Sequence, residues 1–321
     1  MKRFTPALVL SIFAASCFVS ATFKPCLALA DDYSDAVQAY QLGDYEDAFA
    51  LYTSAAEAGS AAAQFNLGRM YRQGHGTRKN SEQAFVWVKR AADQGYVIAQ
   101  ERLGDLYALG QGRPLDYVEA YKWYGRAAEQ GLARAQYKFG FMHADGQGTE
   151  QDYDQAFFWY LKAAEQGFAE AQYALAVAYN TGLGTAENAK SALPWYEKAA
   201  QKGVTDAQYD LASLFDEGRG TRADPVQAFF WYEKAAAKSD PQALAALARL
   251  YFEGRGVEQD LVQAHSHATL ALEYGEDGKN GIYTEEDTTA LLEKISGGMD
   301  QNQILQANKL VVEWITRRNN Q

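Results

Sequence analysis

Four histidines, two cysteines and 41 carboxylates are the groups in this 321-residue chain that could bind a metal, attack a substrate or move a proton. Their spacing argues against each of these chemistries. His265 and His267 stand two residues apart, and on a helix two such side chains diverge by about 200°, so they cannot chelate one ion together. His75 and His143 lie far apart in sequence, with no Ser or Cys at the spacing of a nucleophile and its base. The doublets Asp31-Asp32, Asp216-Glu217 and Glu285-Glu286 have the functional groups for acid–base work, but in so acidic a chain they read as solvated helix ends. A recurring Gly-x-Gly could suggest a phosphate cradle; that fingerprint needs a strand before it and further glycines after it, and here the step follows helical sequence every time. No catalytic residue, metal ligand or cofactor is therefore expected.

Both cysteines fall near the start, where Lys2 and Arg3 precede an uncharged run from Phe4 to Phe23 with an apolar centre at Ala7–Ala15. That is the pattern of a secretory signal, and Ala28-Leu29-Ala30 supplies a small-x-small cleavage site before the polar Asp31-Asp32. Val19-Ser20-Ala21 is a second possible site; an uncleaved anchor and lipidation at Cys17 are the alternatives. Cleavage before Asp31 removes Cys17 and Cys26, which excludes disulfides and thiol chemistry from the mature chain, and places it in the periplasm or outside the cell. The formal net charge of −11 also excludes sequence-independent attraction to nucleic acid or anionic lipid.

The elements that position everything else repeat. Gly74/Gly76, Gly110/Gly112, Gly146/Gly148, Gly182/Gly184, Gly218/Gly220 and Gly254/Gly256 follow one another at intervals of 36 residues. Trp87, Trp123, Trp159, Trp195 and Trp231 keep the same interval, with His267 at the sixth equivalent place. Within the unit 131–166, Ala135, Phe139, Met142 and His143 form one helical stripe, predicting a first helix over about 133–144. Gly146 ends it, Asp152 caps a second helix, and Ala156, Trp159, Tyr160, Ala163 and Ala164 form the second stripe. Such a hairpin cannot cover its own apolar stripes, so units must stack. Pro194, inside the fourth second helix, predicts a shortened or kinked helix there.

Ala99-Gln100-Glu101-Arg102-Leu103-Gly104, Tyr107, Gly110-x-Gly112, Asp116, Ala120, Trp123-Tyr124 and Ala127-Ala128-Glu129-Gln130-Gly131 together resemble the Sel-one-like repeat, a relative of the tetratricopeptide repeat. The match recurs six times over about two thirds of the chain. The resemblance implies an all-α, right-handed α/α solenoid. Its parts would be a signal at 1–30, a tetratricopeptide-like cap at 31–58, and six repeats at 59–94, 95–130, 131–166, 167–202, 203–238 and 239–274. A linker and closing helices occupy 275–321, with Ile304, Val311, Val312, Trp314 and Ile315 as the apolar face of the last. It implies a non-enzymatic scaffold for protein–protein interaction in the bacterial cell envelope. Regulation of a sensor kinase is one alternative. Another is cell-wall or β-lactam binding, although the relatives associated with that carry a Cys pair in each repeat, which this chain lacks.

In solenoids of helical hairpins the first helices line a concave wall. With the core stripe assigned, the residues opposite it are Tyr137, Phe141, Tyr173, Val177 and Tyr209, the expected partner-binding surface. Phe65 and Arg69, Glu101 and Asp105, Ser213, and Ala245 and Arg249 take matching places in other units. For the tyrosines, packing between neighbouring units is an equal alternative. Asp210 and Asp216 beside them would favour a segment with basic residues flanking an apolar anchor. The export signal makes the first testable claim: protein isolated from the envelope fraction should begin at Asp31 on N-terminal sequencing, and an intact Met1 or a lipidated Cys17 would refute it.

Overall fold

A computed structural model describes residues 24–275 and 283–319, and among these every regular element is a helix. They fall into two compact units that divide after Leu115. The first holds α1 (Lys24–Leu42), α2 (Tyr45–Glu57), α3 (Ala61–Gln73), α4 (Ser81–Asp93) and α5 (Val97–Ala108). The second runs through α6 (Tyr117–Glu129), α7 (Ala133–Asp145), α8 (Tyr153–Glu165), α9 (Ala169–Thr181), α10 (Ala189–Gln201) and α11 (Thr205–Glu217). It continues with α12 (Pro225–Ala236), α13 (Pro241–Glu253), α14 (Leu261–Tyr274), α15 (Glu285–Ser296) and α16 (Gln301–Asn319). Residues 1–23 of the expected signal lie outside the described residues, as does most of the expected loop after Tyr274, while the backbone of α1 passes through the expected cleavage point.

The helix boundaries follow from local chemistry. Asn80, Asp116, Asp152, Asn188, Asp224 and Asp260 each accept a hydrogen bond from a backbone N–H in the first turn of the helix that follows. At the other end, α3, α7, α9, α11 and α13 stop on glycines in the left-handed region, Gly146 at φ 68° for example. The second glycine of each step has a different reason. At Gly184, φ is 71° and a Cβ would stand 2.0 Å from the Tyr153 carbonyl oxygen, so the loop touches the start of the preceding repeat's second helix through its bare backbone.

Pro194 does not shorten its helix. α10 has 13 residues, as do α8 and α11, and Asn188 caps it normally. A proline in the second turn removes one backbone hydrogen bond, and the packing of Ala192, Tyr196, Ala199 and Ala200 into the core holds the helix together around that gap.

Successive hairpins are joined through a buried amide. The Nε2 groups of Gln64, Gln100, Gln136, Gln172 and Gln208 each donate to a carbonyl at the end of the preceding second helix: Ala56, Ala92, Ala128, Ala164 and Ala200, at 3.0–3.3 Å. The other end of the amide is engaged as well where Gln94 donates to Gln64 Oε1 and Gln166 to Gln136 Oε1, each at 2.7 Å. Thirty residues beyond Gln172 and Gln208 the sequence has Lys202 and Lys238 instead. Their ammonium groups turn to the Gly167 and Gly203 carbonyls, and Gln172 Oε1 and Gln208 Oε1 are left buried with no partner among the described residues.

Trp87, Trp123 and Trp159 are buried, whereas Trp195 and Trp231 are half-buried. A cation three residues on covers the outer face of four of them: Arg90 over Trp87 and Arg126 over Trp123 at 4.4 Å, Lys162 over Trp159 at 4.9 Å and Lys198 over Trp195 at 3.8 Å. At the end of the chain, Ile295 of α15 joins Ala248, Ala264 and Ala268, and α16 lies against α14, where Val311, Trp314 and Ile315 pack on the cluster that includes Leu270 and Ala271. Val312, expected on that apolar face, is exposed. Restoring glutamine at the two exceptional positions should stabilise the chain. Lys202→Gln and Lys238→Gln are each expected to raise the unfolding free energy by about 0.5–1 kcal/mol, because satisfying a buried acceptor outweighs losing an exposed lysine contact. Equal urea midpoints for parent and double variant would refute this.

Candidate functional site

The first-helix face of the second unit is built by α7, α9, α11 and α13. In α7, Ala135, Gln136, Phe139, Gly140, Met142 and His143 are buried, as the stripe required. Opposite them Arg134 and Phe141 are exposed and Tyr137 is half-buried. Phe141 retains 45% of its surface, which makes it an apolar group available to a partner, and Val177 is half-buried one repeat later.

The three tyrosines are structural as well as superficial. Each packs on a tyrosine of its own repeat's second helix: Tyr137 on Tyr160 at 5.8 Å, Tyr173 on Tyr196 at 6.0 Å and Tyr209 on Tyr232 at 5.6 Å between ring centroids. Tyr137 also meets Phe168 at 5.5 Å. Burial pushes the phenols of Tyr137, Tyr173 and Tyr209 above their ordinary range, so all three are neutral donors.

The face is also less uniform than expected. Phe65, Glu101, Ser213 and Ala245, which match the tyrosine and valine places in other units, are buried rather than presented. The expected acidic character changes hands. Asp216 is buried and held by Arg249 Nη2 at 2.9 Å and Arg255 Nη2 at 2.5 Å, so its charge is neutralised within the chain. Asp210 accepts hydrogen bonds from the hydroxyls of Tyr173 and Tyr196; burial nevertheless dominates and pushes its carboxyl up to about 6. The exposed acids beside the tyrosines are Glu170, near Tyr137, and Asp206, near Tyr173.

Two features escaped the sequence. Phe158 and Phe230, on the second helices α8 and α12, are 45% and 44% exposed, with Lys162 and Lys234 lying over their rings. Tyr283, in what reads as a linker, reaches the last repeat's first helix and packs on the same core cluster as Tyr209. The histidines are accounted for by packing. His143 lies against Phe139 and Tyr121, His267 donates through Nδ1 to the Gln263 carbonyl at 2.8 Å, and His75 stacks on Tyr45 at 4.2 Å. Burial lowers the pKa of His143, His265 and His267. Among the described residues no group of three or more His, Cys, Asp or Glu is placed to hold a metal ion.

Paired helices of fixed length, joined by glycine loops and stacked through repeated alanines, define a helical-hairpin repeat protein of the tetratricopeptide kind. The chain belongs to the Sel1 repeat family, whose model matches seven units at 32–60, 61–96, 97–132, 133–168, 169–204, 205–240 and 241–275. The first of these is the short hairpin that the sequence pattern set apart as a cap. A Sel1 repeat protein from Oxalobacter formigenes is 31% identical, superposes with a TM-score of 0.67, and is matched over 79% of this chain and 99% of its own. The protein c5321, a protective antigen of uropathogenic Escherichia coli strains, is 24% identical over 90% of this chain and 84% of its own, with a TM-score of 0.51, and shares the fold. No curated protein matches the chain. Sel1 repeat proteins are typically protein–protein interaction scaffolds and generally non-catalytic.

The Asp210 carboxyl holds its proton more tightly in the folded chain than in the unfolded one, where it titrates near 3.8. Its contribution to stability is therefore present below about pH 4 and lost as pH rises through about 6. Relative to the parent, Asp210→Asn should gain about 1–3 kcal/mol on passing from pH 4.5 to pH 7.5 in urea unfolding. A difference between the two proteins that does not vary with pH would show that Asp210 is an ordinary surface acid.

Proposed function

We propose that this protein is an exported, non-enzymatic scaffold of the bacterial cell envelope that captures a segment of another protein on its first-helix face. The observation that carries this reading is Phe141: a large apolar side chain left nearly half exposed beside Tyr137, one repeat from Tyr173 and Val177, on the face opposite the core stripe. Exposed aromatics in register with a rigid scaffold are the usual anchors of protein recognition. The tyrosines add rigid rings whose orientation is set by Tyr160 and Tyr196, so they lose little freedom when a partner docks. Glu170 and Asp206, rather than Asp210 and Asp216, supply the negative charge that would favour basic residues flanking the partner's apolar anchor.

Export rests on the charged start, the apolar run and the Ala28-Leu29-Ala30 site, and cleavage there would leave α1 beginning at Asp31. No described helix is long and apolar enough to cross a membrane. Pull-down from envelope extract identifies the partner, and titration then locates its site. Replacing Phe141 and Val177 with Asp should weaken binding by about 1–3 kcal/mol with helical content unchanged. Unchanged affinity would place the site elsewhere, with Phe158 and Phe230 on the second helices next to be tested.

A further inference from the structure

The last repeat already holds the backbone of a residue from outside the repeats. The Gln242 side chain at the start of α13 accepts from the Tyr283 backbone N–H at 2.9 Å and donates to the Tyr283 carbonyl at 2.7 Å. This two-point grip engages only main-chain atoms, so it is indifferent to which residue supplies them. The side chain is recognised separately. The Tyr283 ring lies 5.1 Å from the Arg249 guanidinium and packs into the cluster that contains Tyr209 and Tyr232. Immediately afterwards Thr284 and Asp287 form a capping box that starts α15 and fixes the chain that follows Tyr283.

The fit leaves something unmet. Tyr209 Oη and Arg249 Nε are both buried beside Tyr283, and neither has a hydrogen-bond partner among the described residues. Both are donors: the tyrosine is neutral and the guanidinium charged. A buried donor without an acceptor is costly, and Tyr283 has no oxygen placed to relieve either one. A ligand that copied the aromatic ring and the gripped backbone, and added a carbonyl or carboxylate oxygen, would make bonds that the resident residue does not.

We propose that the Gln242–Arg249 face of α13, with Tyr209, is a recognition subsite for an extended peptide carrying an aromatic residue next to an oxygen acceptor, and that Tyr283 is its built-in competitor. The proposal rests on reading the first-helix face as a binding wall and adds the chemistry and control of one end of it. Because Tyr283 is tethered, it competes at a high effective concentration, and a partner engaging this end must displace it.

The test uses the full chain and an acetylated, amidated peptide of residues 283–287, Tyr-Thr-Glu-Glu-Asp. The Tyr283→Ala variant, whose tethered backbone keeps only the Gln242 grip and is more readily displaced from it, should bind this peptide saturably by calorimetry and about tenfold or more tighter than the parent does. The same peptide with Ala in place of Tyr should not bind, and adding Gln242→Ala to the variant should weaken binding about tenfold. Absence of saturable binding up to millimolar peptide, or equal binding of the Tyr and Ala peptides, overturns the subsite; equal binding by parent and variant overturns the competition. If Tyr283→Ala loses its helical content, hydrogen exchange on the parent decides. The Tyr283 amide should lose protection as peptide is added, and exchange unchanged at millimolar peptide refutes displacement. No partner protein enters these measurements, so their failure leaves the Phe141–Val177 reading standing, and the failure of each is read in a different experiment.

Discussion

A single buried amide sets the terms on which successive hairpins of this chain can stack. The last turn of every helix leaves carbonyls without an i+4 donor, and where repeats meet, the Ala56, Ala92, Ala128, Ala164 and Ala200 carbonyls accept instead from the backbone N–H of the glycine three residues on. The glutamine near the start of α3, α5, α7, α9 and α11 adds a second donor to that carbonyl from the next repeat, on the lone pair that stacking would otherwise bury. Alanines at 0% exposure on either side allow the backbones to come close enough for that bond, and the bond in turn makes close approach tolerable. In the last repeat Leu244 takes the glutamine's place and is buried, an apolar substitution that leaves no polar group to satisfy on the side chain.

Most of this architecture was legible from spacing. Residues with one conformational duty, such as Gly146 at a left-handed cap and Asp152 at a helix start, announce themselves because few other residues can do the work. Pro194 misled because a proline's cost is local, whereas the helix is held by four core residues around it. The site was harder to read. Phe141 could be placed by helical geometry, but the burial of Glu101 and Ala245 at matching positions depends on neighbours that one repeat does not reveal. Asp216 looked like a surface acid because its two arginines lie 33 and 39 residues away. Tyr283 gave no signal, since it belongs to no repeat and acts through its backbone as much as its ring.

Charge in this protein is organised by pairing more than by field. The net excess of acid suggests a negative surface, yet the acids nearest the first-helix face are in part neutralised or protonatable, and the cations lie flat on tryptophan and phenylalanine rings. An ammonium over an indole keeps water from the ring's outer face while staying solvated itself. The second helices can in this way expose aromatic carbon without forming one continuous apolar sheet.

The contact made by the second glycine of each step bears on how such a chain can evolve. Gly76, Gly112, Gly148, Gly184, Gly220 and Gly256 each touch a residue near the start of an earlier second helix: Tyr45, Ser81, Tyr117, Tyr153, Ala189 and Pro225. The separation is 31 residues every time, so the loop of one repeat gauges the length of the stretch before it. A single inserted or deleted residue within that stretch would bring a side chain, or the wrong backbone, to a place with room only for glycine. Duplication of a whole unit carries the glycine and its counterpart along together. The lineage is thus free to grow or shrink by entire repeats while each repeat's length stays uniform, like a ruler that can be extended only by whole divisions.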